Sequence, residues 1–191
     1  MNANFESRLA TLYLNLEGLA APIQNLKEWR YFLSFLDSYF MRHGIEHPVI
    51  VELGTRGNRQ KPYYETLFGA THIGIDGCMT FEPDIFGNTH EPGTLAALKE
   101  RLAGKSINLL FIDADHAFRA VKQDYETYGP LTENIIALHD IFNKAEQVNQ
   151  FWREIQEQDP EWMKLAIYNW LPEPHVFAFM QFGIGLILKK W

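Results

Sequence analysis

Two clusters of carboxylates and imidazoles each follow a short apolar run. Residues 107–112 lead into an Asp-Ala-Asp-His segment that begins at Asp113, and residues 135–138 lead into His139 and Asp140. Short apolar runs bounded by polar residues are typical of strands buried on both faces of a parallel sheet. Ligands bind beyond the carboxyl ends of such strands. If the two strands are neighbours, the clusters share a cleft suited to a hard metal ion, to acid–base chemistry, or to both.

The loop after an earlier apolar run has the features of a cofactor site. Gly54 and Gly57 stand where residues 49–53 end and a helix is expected to begin. Glycine lets the backbone approach a ligand closely, and a helix start offers unpaired N–H groups. Asp76 ends the next strand, 22 residues after Gly54, where a carboxylate accepts from both ribose hydroxyls. Together these features predict an adenosine-type cofactor, although the turn alone is equally explained by a tight strand-to-helix connection.

Two classes of cofactor compete for this loop. A dinucleotide enzyme should show Gly-x-Gly-x-x-Gly, and here Arg56 and Arg59 occupy the second and third glycine positions. A nicotinamide cofactor also leaves the acidic clusters without an explanation. Glu52, which precedes the glycine turn, is better explained by S-adenosylmethionine, because the amino-acid end and the sulfonium of that cofactor are cationic.

The elements that must position these residues alternate between strand and helix. Residues 5–43 are expected to be helical, with Trp29, Leu33, Leu36 and Phe40 on one apolar face. Five strands with intervening helices follow, and residues 176–181 and 184–188 flank Gly183 as a terminal hairpin. This pattern predicts an α/β fold with a doubly wound, Rossmann-like parallel sheet and an antiparallel end.

Bulk properties narrow the class of protein. The 191 residues contain no recognisable repeat or linker, so we expect one domain, with N-terminal helices over 1–47 and an α/β core over 48–191. A net charge of −7 argues against a nucleic-acid partner. The lone Cys78 excludes an internal disulfide and fits a reducing compartment. No signal-peptide pattern and no apolar tract of membrane-spanning length is present, so we expect a cytoplasmic protein without a membrane partner.

Several longer segments carry a family resemblance. VELGTRG, HIGIDG, FGNTHEPGTLAALKERL, INLLFIDADHAFRAVKQDYETYGPL, IIALHDI and QFWREI resemble the class I S-adenosylmethionine-dependent methyltransferases. Within that family they are most similar to the branch of cephalosporin-hydroxylase-like and macrolide-sugar O-methyltransferases. The resemblance covers roughly residues 48–188. It implies a seven-stranded sheet with a reversed terminal hairpin, and O-methyl transfer to a small hydroxylated substrate, with Mg²⁺ assistance in members that use a metal.

The resemblance also implies roles for particular residues. Glu52 and Gly54 would line the methionine end of the cofactor, Asp76 would hold the ribose, and residues 88–90 would flank the adenine. The implied cofactor-binding set is Glu52, Gly54, Thr55, Gly57, Asp76, Asn88 and Asp113. Asp113 and Asp140 would bind the metal in members that use one, and His116 or His139 would help with proton transfer. The catalytic residues that we predict are Asp113 and His116.

Strand alternation favours His116 over His139 as the proton acceptor. His116 follows Asp113 by three residues, so it should stand near the metal on the first turn of the next helix. His139 is adjacent to Asp140, and within a strand adjacent side chains point to opposite faces of the sheet. His72, by contrast, is expected at the surface.

Departures from the family pattern keep other functions open. The family usually carries glycine at the position of Asn58, and the basic residues Arg56, Arg59 and Lys61 suit a carboxylate or a phosphate at the helix start. The alternatives are therefore a non-catalytic protein and a nucleotide-sugar-binding protein on the same fold. A small-molecule substrate is expected in the leading interpretation, its identity is open, and so is pairing into a homodimer.

Overall fold

Seven strands form one mixed sheet in a computed structural model that describes residues 5–10, 25–144, 146–157, 162–169 and 182–189. The spatial order is β3-β2-β1-β4-β5-β7-β6. Neighbours among β1 to β5 are parallel, whereas β7 runs antiparallel to both β5 and β6. The strands are β1 (Val49–Leu53), β2 (Thr71–Asp76), β3 (Ile85–Phe86), β4 (Ile107–Ile112), β5 (Thr132–His139), β6 (Met163–Ile167) and β7 (Ile184–Leu188).

Helices cover both faces of this sheet. They are α1 (Leu26–Arg42), α2 (Lys61–Phe68), α3 (Pro92–Leu102), α4 (Phe118–Tyr128) and α5 (Val148–Glu157). Residues 5–10 are helical as well. Among the described residues, no helix combines the length and the apolar character needed to cross a membrane.

Helix α1 forms where local signals and packing agree. The side chain of Asn25 accepts hydrogen bonds from the N–H groups of Lys27 and Glu28, which caps the first turn. The apolar face that the spacing predicts is buried, with Trp29 and Leu33 fully inaccessible. This face and α2 pack on one side of the sheet, against residues such as Phe111, while α3, α4 and α5 pack on the other side.

Glu28 ties α1 to two distant parts of the chain. Its buried carboxylate accepts hydrogen bonds from the backbone N–H of Asn169 at 2.7 Å and from that of Gly183 at 3.1 Å. These two backbone N–H groups are thus hydrogen-bonded within the protein, by a side chain of α1.

The predicted α/β class and the doubly wound, mostly parallel sheet are confirmed, and the details of its antiparallel end differ. The neighbour of β7 on its outer side is β6, a segment the sequence analysis did not mark as a strand. This strand lies at the edge of the sheet, and all its residues are at least partly exposed. The predicted hairpin strand over 176–181 and the predicted helical residues 11–24 lie outside the described residues.

Truncating Trp29 should destabilise the whole fold. Its ring packs against the rings of Phe32, Tyr63 and Phe111 at centroid distances of 5.4, 5.7 and 6.5 Å. We expect Trp29→Ala to lower the free energy of unfolding by about 3–5 kcal/mol, measured by urea denaturation. Tyr31→Ala on the same helix removes a side chain of a residue that is 55% exposed and should change it by less than about 0.5 kcal/mol. Equal effects would mean that α1 does not stabilise the sheet.

Candidate active site

A cavity of about 1020 Å³ lies at the carboxyl ends of the parallel strands. This volume is in the range of sites that enclose a cofactor or a drug-sized ligand. The predicted residues that line it are Glu52, Gly54, Thr55, Asp76, Asn88, Asp113, His116 and Asp140. Gly57 is the predicted residue that does not line it: a side chain there would extend into open space.

Gly54 brings the first loop against the end of β4. A β-carbon on Gly54 would lie 2.1 Å from the carbonyl oxygen of Asp113 and 2.7 Å from the α-carbon of Ala114. The approach is held by hydrogen bonds from Gly54 N–H to the carbonyl of Ile75 at 2.8 Å and from Asp113 N–H to that of Leu53 at 2.9 Å. The glycine loop and the first acidic cluster therefore belong to one site.

The loop keeps the path of a glycine-rich turn with fewer glycines. Asn58 adopts a positive φ of 53°, a conformation that asparagine tolerates better than most residues. Its side-chain amide donates to the carbonyl of Glu82 at 3.0 Å. Asp76 faces the loop and accepts from the backbone N–H of Arg56 at 2.9 Å and from that of Cys78 at 2.8 Å. At Asn58, where the sequence departs from the family pattern, the residue thus adopts a conformation that glycine would also allow.

Strand register places His139 beside Asp113. Phe111 of β4 pairs with Ala137 of β5, so the residues two positions further along both strands lie on the same face. The Nδ1 atom of His139 is 3.0 Å from Oδ1 of Asp113. The sequence argument that pointed His139 away from the carboxylates is therefore wrong. It assumed that Asp140 continues the strand, whereas Asp140 has a φ of 62° and turns the chain.

His116 completes a group of two carboxylates and two imidazoles. Its Nε2 is 3.2 Å from Oδ1 of Asp113, and its Nδ1 is 3.4 Å from Oδ2 of Asp140. Glu146 approaches the same Nδ1 at 3.7 Å. Asp115, in contrast, accepts from the N–H of Ala117 at 2.9 Å, a local turn that precedes α4.

The charges of this group shift its proton equilibria. Burial opposes charge on His139, but the carboxylates of Asp113 and Asp140 outweigh it and raise the pKa of His139 to about 9. The hydrogen bond to Asp113 raises the pKa of His116. Burial raises the pKa of Asp140. In the metal-free protein His139 is therefore a cation at neutral pH, and its charge balances the carboxylates.

The donor set fits a divalent metal ion. Ligand atoms of Asp113, His139 and Asp140 all lie within 4.8 Å of one another. Oδ1 of Asp140 is buried and has no hydrogen-bond partner among the described residues, an arrangement that a cation would satisfy. Carboxylate oxygens suit Mg²⁺, and an added imidazole also suits transition metals such as Mn²⁺. The metal residues predicted from the sequence are thus close together, and His139 joins them.

Sequence reasoning missed a second buried acid–histidine group, behind Glu52. His72 is buried, contrary to its predicted surface position, and its Nε2 is 2.8 Å from Oε2 of Glu52. Its Nδ1 is 3.7 Å from Oδ2 of Asp84. Lys61, which the sequence offered for phosphate binding, instead donates to Asp84 at 3.1 Å. The signal was the position of His72 in β2, a strand covered on both faces, where a histidine needs a partner.

A third acid–histidine pair lies near the other end of the cavity. Nε2 of His90 is 3.4 Å from Oδ1 of Asp124 and 3.3 Å from the carbonyl of Ala120. Burial raises the pKa of Asp124 to about 6. Asn88 lies beside this pair, and its side-chain oxygen accepts from His90 N–H at 2.9 Å. Residues 88–90, predicted to flank an adenine, therefore line one wall of the cavity.

Solved structures of methyltransferases share this architecture. An O-methyltransferase from Bacillus cereus in complex with SAH superposes with a TM-score of 0.54 at 14% identity, over 99% of this chain and 92% of its own. A putative caffeoyl-CoA O-methyltransferase from Staphylococcus aureus gives 0.56 at 16% identity, over 99% and 93%. The MycE methyltransferase from the mycinamycin biosynthetic pathway, in complex with Mg and SAH, gives 0.53 at 13% identity, over 97% and 60%.

The chain has the methyltransferase fold. Identities of 13–16% establish the architecture alone. No protein-family model matches the sequence, and no curated protein sequence matches it. The case for an activity therefore depends on the residues in the cavity.

Replacing Gly54 should separate the glycine loop from β4. Gly54 and Gly57 have φ values of 82° and 93°, so alanine is strained at both positions, at a cost of about 1–2 kcal/mol. Gly54→Ala also introduces a steric clash between the new β-carbon and the carbonyl oxygen of Asp113, whereas a β-carbon at Gly57 has no atom within 4 Å. We expect Gly54→Ala to lower the free energy of unfolding by about 1–3 kcal/mol more than Gly57→Ala, measured by urea denaturation. Equal losses of stability in the two variants would show that the loop moves away from β4 without a further loss of free energy.

Proposed function

We propose that the protein is an S-adenosylmethionine-dependent O-methyltransferase that acts on a small hydroxylated molecule with the help of a divalent metal ion. One observation carries the proposal: the contact between Gly54 and the backbone of Asp113 puts the glycine loop and the acid–histidine group into one cavity. A nucleotide-binding loop alone would support many functions. A carboxylate pair with two imidazoles next to it supports proton removal from a hydroxyl group.

The cofactor end of the cavity suits an adenosyl group with a cationic tail. Asp76 stands at the end of β2, where acidic residues accept from ribose hydroxyls in related folds. Glu52 lies deeper, at the end of β1, and offers negative charge toward an ammonium or a sulfonium. S-adenosylmethionine supplies an electrophilic methyl group, so the work left to this chain is to bind, orient and deprotonate. The SAH bound in the Bacillus cereus neighbour and the Mg and SAH bound in MycE agree with this assignment.

The substrate end combines oxygen donors with an aromatic wall. Phe182 stacks on His139 at a centroid distance of 5.4 Å, and Asn143 and Glu146 complete the lining near His116. When bound at Asp113 and Asp140, Mg²⁺ would polarise the substrate hydroxyl. The side chains of this chain fix that hydroxyl relative to the cofactor, and such positioning accounts for much of the rate in transfer reactions.

His116 remains the residue proposed to accept the proton, now for a different reason. Its side chain is 26% exposed and reaches the cavity, whereas that of His139 is 3% exposed. His139 is also one of the groups that could hold the metal ion, so one of its ring nitrogens would be occupied when the ion is bound. The hydrogen bond between Nε2 of His116 and Oδ1 of Asp113 orients the ring. In the metal-free protein the hydrogen bond to Asp113 raises the pKa of His116.

Cofactor identity is tested by ligand-induced stabilisation. SAH at 100 times its Kd should raise the free energy of unfolding of the wild type by about 2.7 kcal/mol. Asp76→Ala should remove most of this increment, because the ribose loses its acceptor. Asp115→Ala, which alters another carboxylate of the cavity whose hydrogen bond is to the backbone of Ala117, should retain it. A shift with NAD or UDP-glucose and none with SAH would assign the cavity to a different ligand.

Metal binding is tested with Mn²⁺ as the probe, by electron paramagnetic resonance. Asp113→Asn and Asp140→Asn should each weaken Mn²⁺ binding by about tenfold or more, since each removes a charged oxygen donor. Asp115→Asn is the matched control, because it changes the same residue type two positions along the chain and should leave the affinity unaltered. Loss of binding in the control, or retention in both site variants, would exclude the proposed ligand pair.

A further inference from the structure

Burial of Glu52 disfavours the negative charge on its carboxylate. Its side chain is almost completely buried, yet it lines the cavity at the end of β1. A buried carboxylate takes up a proton unless a partner stabilises its charge. Burial is the largest influence on Glu52 and raises its pKa. Something in the fold must therefore keep its charge if Glu52 is to attract a cationic ligand.

His72 is placed to supply that partner as a cation. It pairs in register with Ile50 of β1, so Glu52 lies two residues further along on the same face. Its Nε2 faces Glu52 at 2.8 Å, and its Nδ1 faces Asp84 at 3.7 Å. A neutral imidazole donates from one nitrogen, whereas the imidazolium donates from both. Carboxylates on both sides therefore favour the protonated ring.

Asp84 does not neutralise the positive charge of His72. That carboxylate already receives Lys61 at 3.1 Å and Arg101 at 3.4 Å, and it accepts from Gly74 N–H at 2.9 Å. Together with His72, three basic side chains thus surround the carboxylate of Asp84. The imidazolium has Glu52 as its remaining anionic neighbour, and a 2.8 Å hydrogen bond between charged groups is short and strong.

The packing around His72 fixes its position. Tyr64 stacks on the imidazole at a centroid distance of 5.8 Å and an interplanar angle of 19°. The hydroxyl of Tyr64 in turn donates to Gln60 at 2.7 Å, and Gln60 lines the cavity. A β-carbon on Gly74 would lie 3.2 Å from the ring, so the absence of a side chain there leaves room for it. The ring is therefore held by Tyr64 on one face and by the hydrogen bond of Nε2 to Glu52, whereas Nδ1 has no hydrogen-bond partner among the described residues and lies near the carboxylate of Asp84.

We propose that His72, which lies between Glu52 and the carboxylate of Asp84, is a positioning residue that keeps Glu52 as an oriented carboxylate for the α-ammonium group of the bound cofactor. This inference rests on the proposed function, because it assumes a ligand with an amino-acid end. It goes further because it gives His72 and Asp84, which do not line the cavity, a role in the recognition of the α-ammonium group. His72 and Asp84 touch neither the cofactor nor the substrate in this proposal.

The test compares two ligands that differ in one charged group. Isothermal titration calorimetry measures the Kd of SAH and of its analogue that lacks the α-amino group. In the wild type, SAH should bind more tightly than the analogue. Glu52→Gln gives the ratio of the two affinities that remains when the negative charge of Glu52 is absent. His72→Gln keeps one N–H donor toward Glu52 but removes the cation. It should lower the ratio on the order of tenfold while changing the Kd of the deaminated analogue less than about threefold.

Two further variants guard against loss of folding. Asp84→Asn leaves the Glu52–His72 hydrogen bond in place and removes the second acid that demands a protonated ring, so it should lower the ratio in the same direction. His43→Gln alters an exposed histidine at the end of α1 and should leave the ratio unchanged. Equal weakening of both ligands in His72→Gln and Asp84→Asn, or an unchanged ratio, would overturn the proposal and leave His72 a structural residue.

The failure of this inference differs from a failure of the proposed function. If the wild type binds neither SAH nor the analogue, the methyltransferase assignment itself falls, and the role of His72 falls with it. If the wild type binds SAH and the ratio does not respond to His72 or Asp84, the cofactor assignment stands and the positioning role is lost.

Discussion

The close approach of two backbone segments at Gly54 is the constraint on which the cavity depends. Without a side chain at that position, the loop after β1 lies directly on the end of β4. The hydrogen bonds from Gly54 to Ile75 and from Asp113 to Leu53 then join the ends of three adjacent strands. Because parallel strands end at the same edge of a sheet, this junction brings a nucleotide-type loop and an acidic cluster within reach of one ligand.

Pairing of buried acids with histidines recurs around the cavity. Each pair joins different elements: β1 with β2, β4 with β5, and the segment after β3 with α4. The pairs are Glu52–His72, Asp113–His139 and Asp124–His90. A histidine gains or loses its charge near neutral pH at small cost, so it stabilises a buried carboxylate with less desolvation than a permanent cation. In a chain with a net charge of −7, this pattern concentrates negative charge at a site without leaving it uncompensated.

Local patterns in the sequence predict most of the elements and less of the site. The apolar runs ending at Leu53 and Ile112 are strands, and Pro92 begins a helix, because periodicity and turn residues act within a few positions. The contact of His139 with Asp113 depends on the register between β4 and β5, and the burial of His72 depends on its neighbours in space. Neither follows from spacing along one strand. The edge strand β6 is short and shows no regular alternation of apolar and polar residues, so the pattern of its sequence does not set it apart.

Glu28 has a consequence for the order in which the molecule is assembled. Its two hydrogen-bond donors lie 141 and 155 residues further along the chain. During synthesis, helix α1 is made early, whereas its acceptor finds both partners only after Gly183 has left the ribosome. Contacts of such long sequence separation form slowly and late, because a large loop must close first. The wall of the site that Phe182 forms beside His139 thus depends on contacts of long sequence separation, which form only after a large loop has closed.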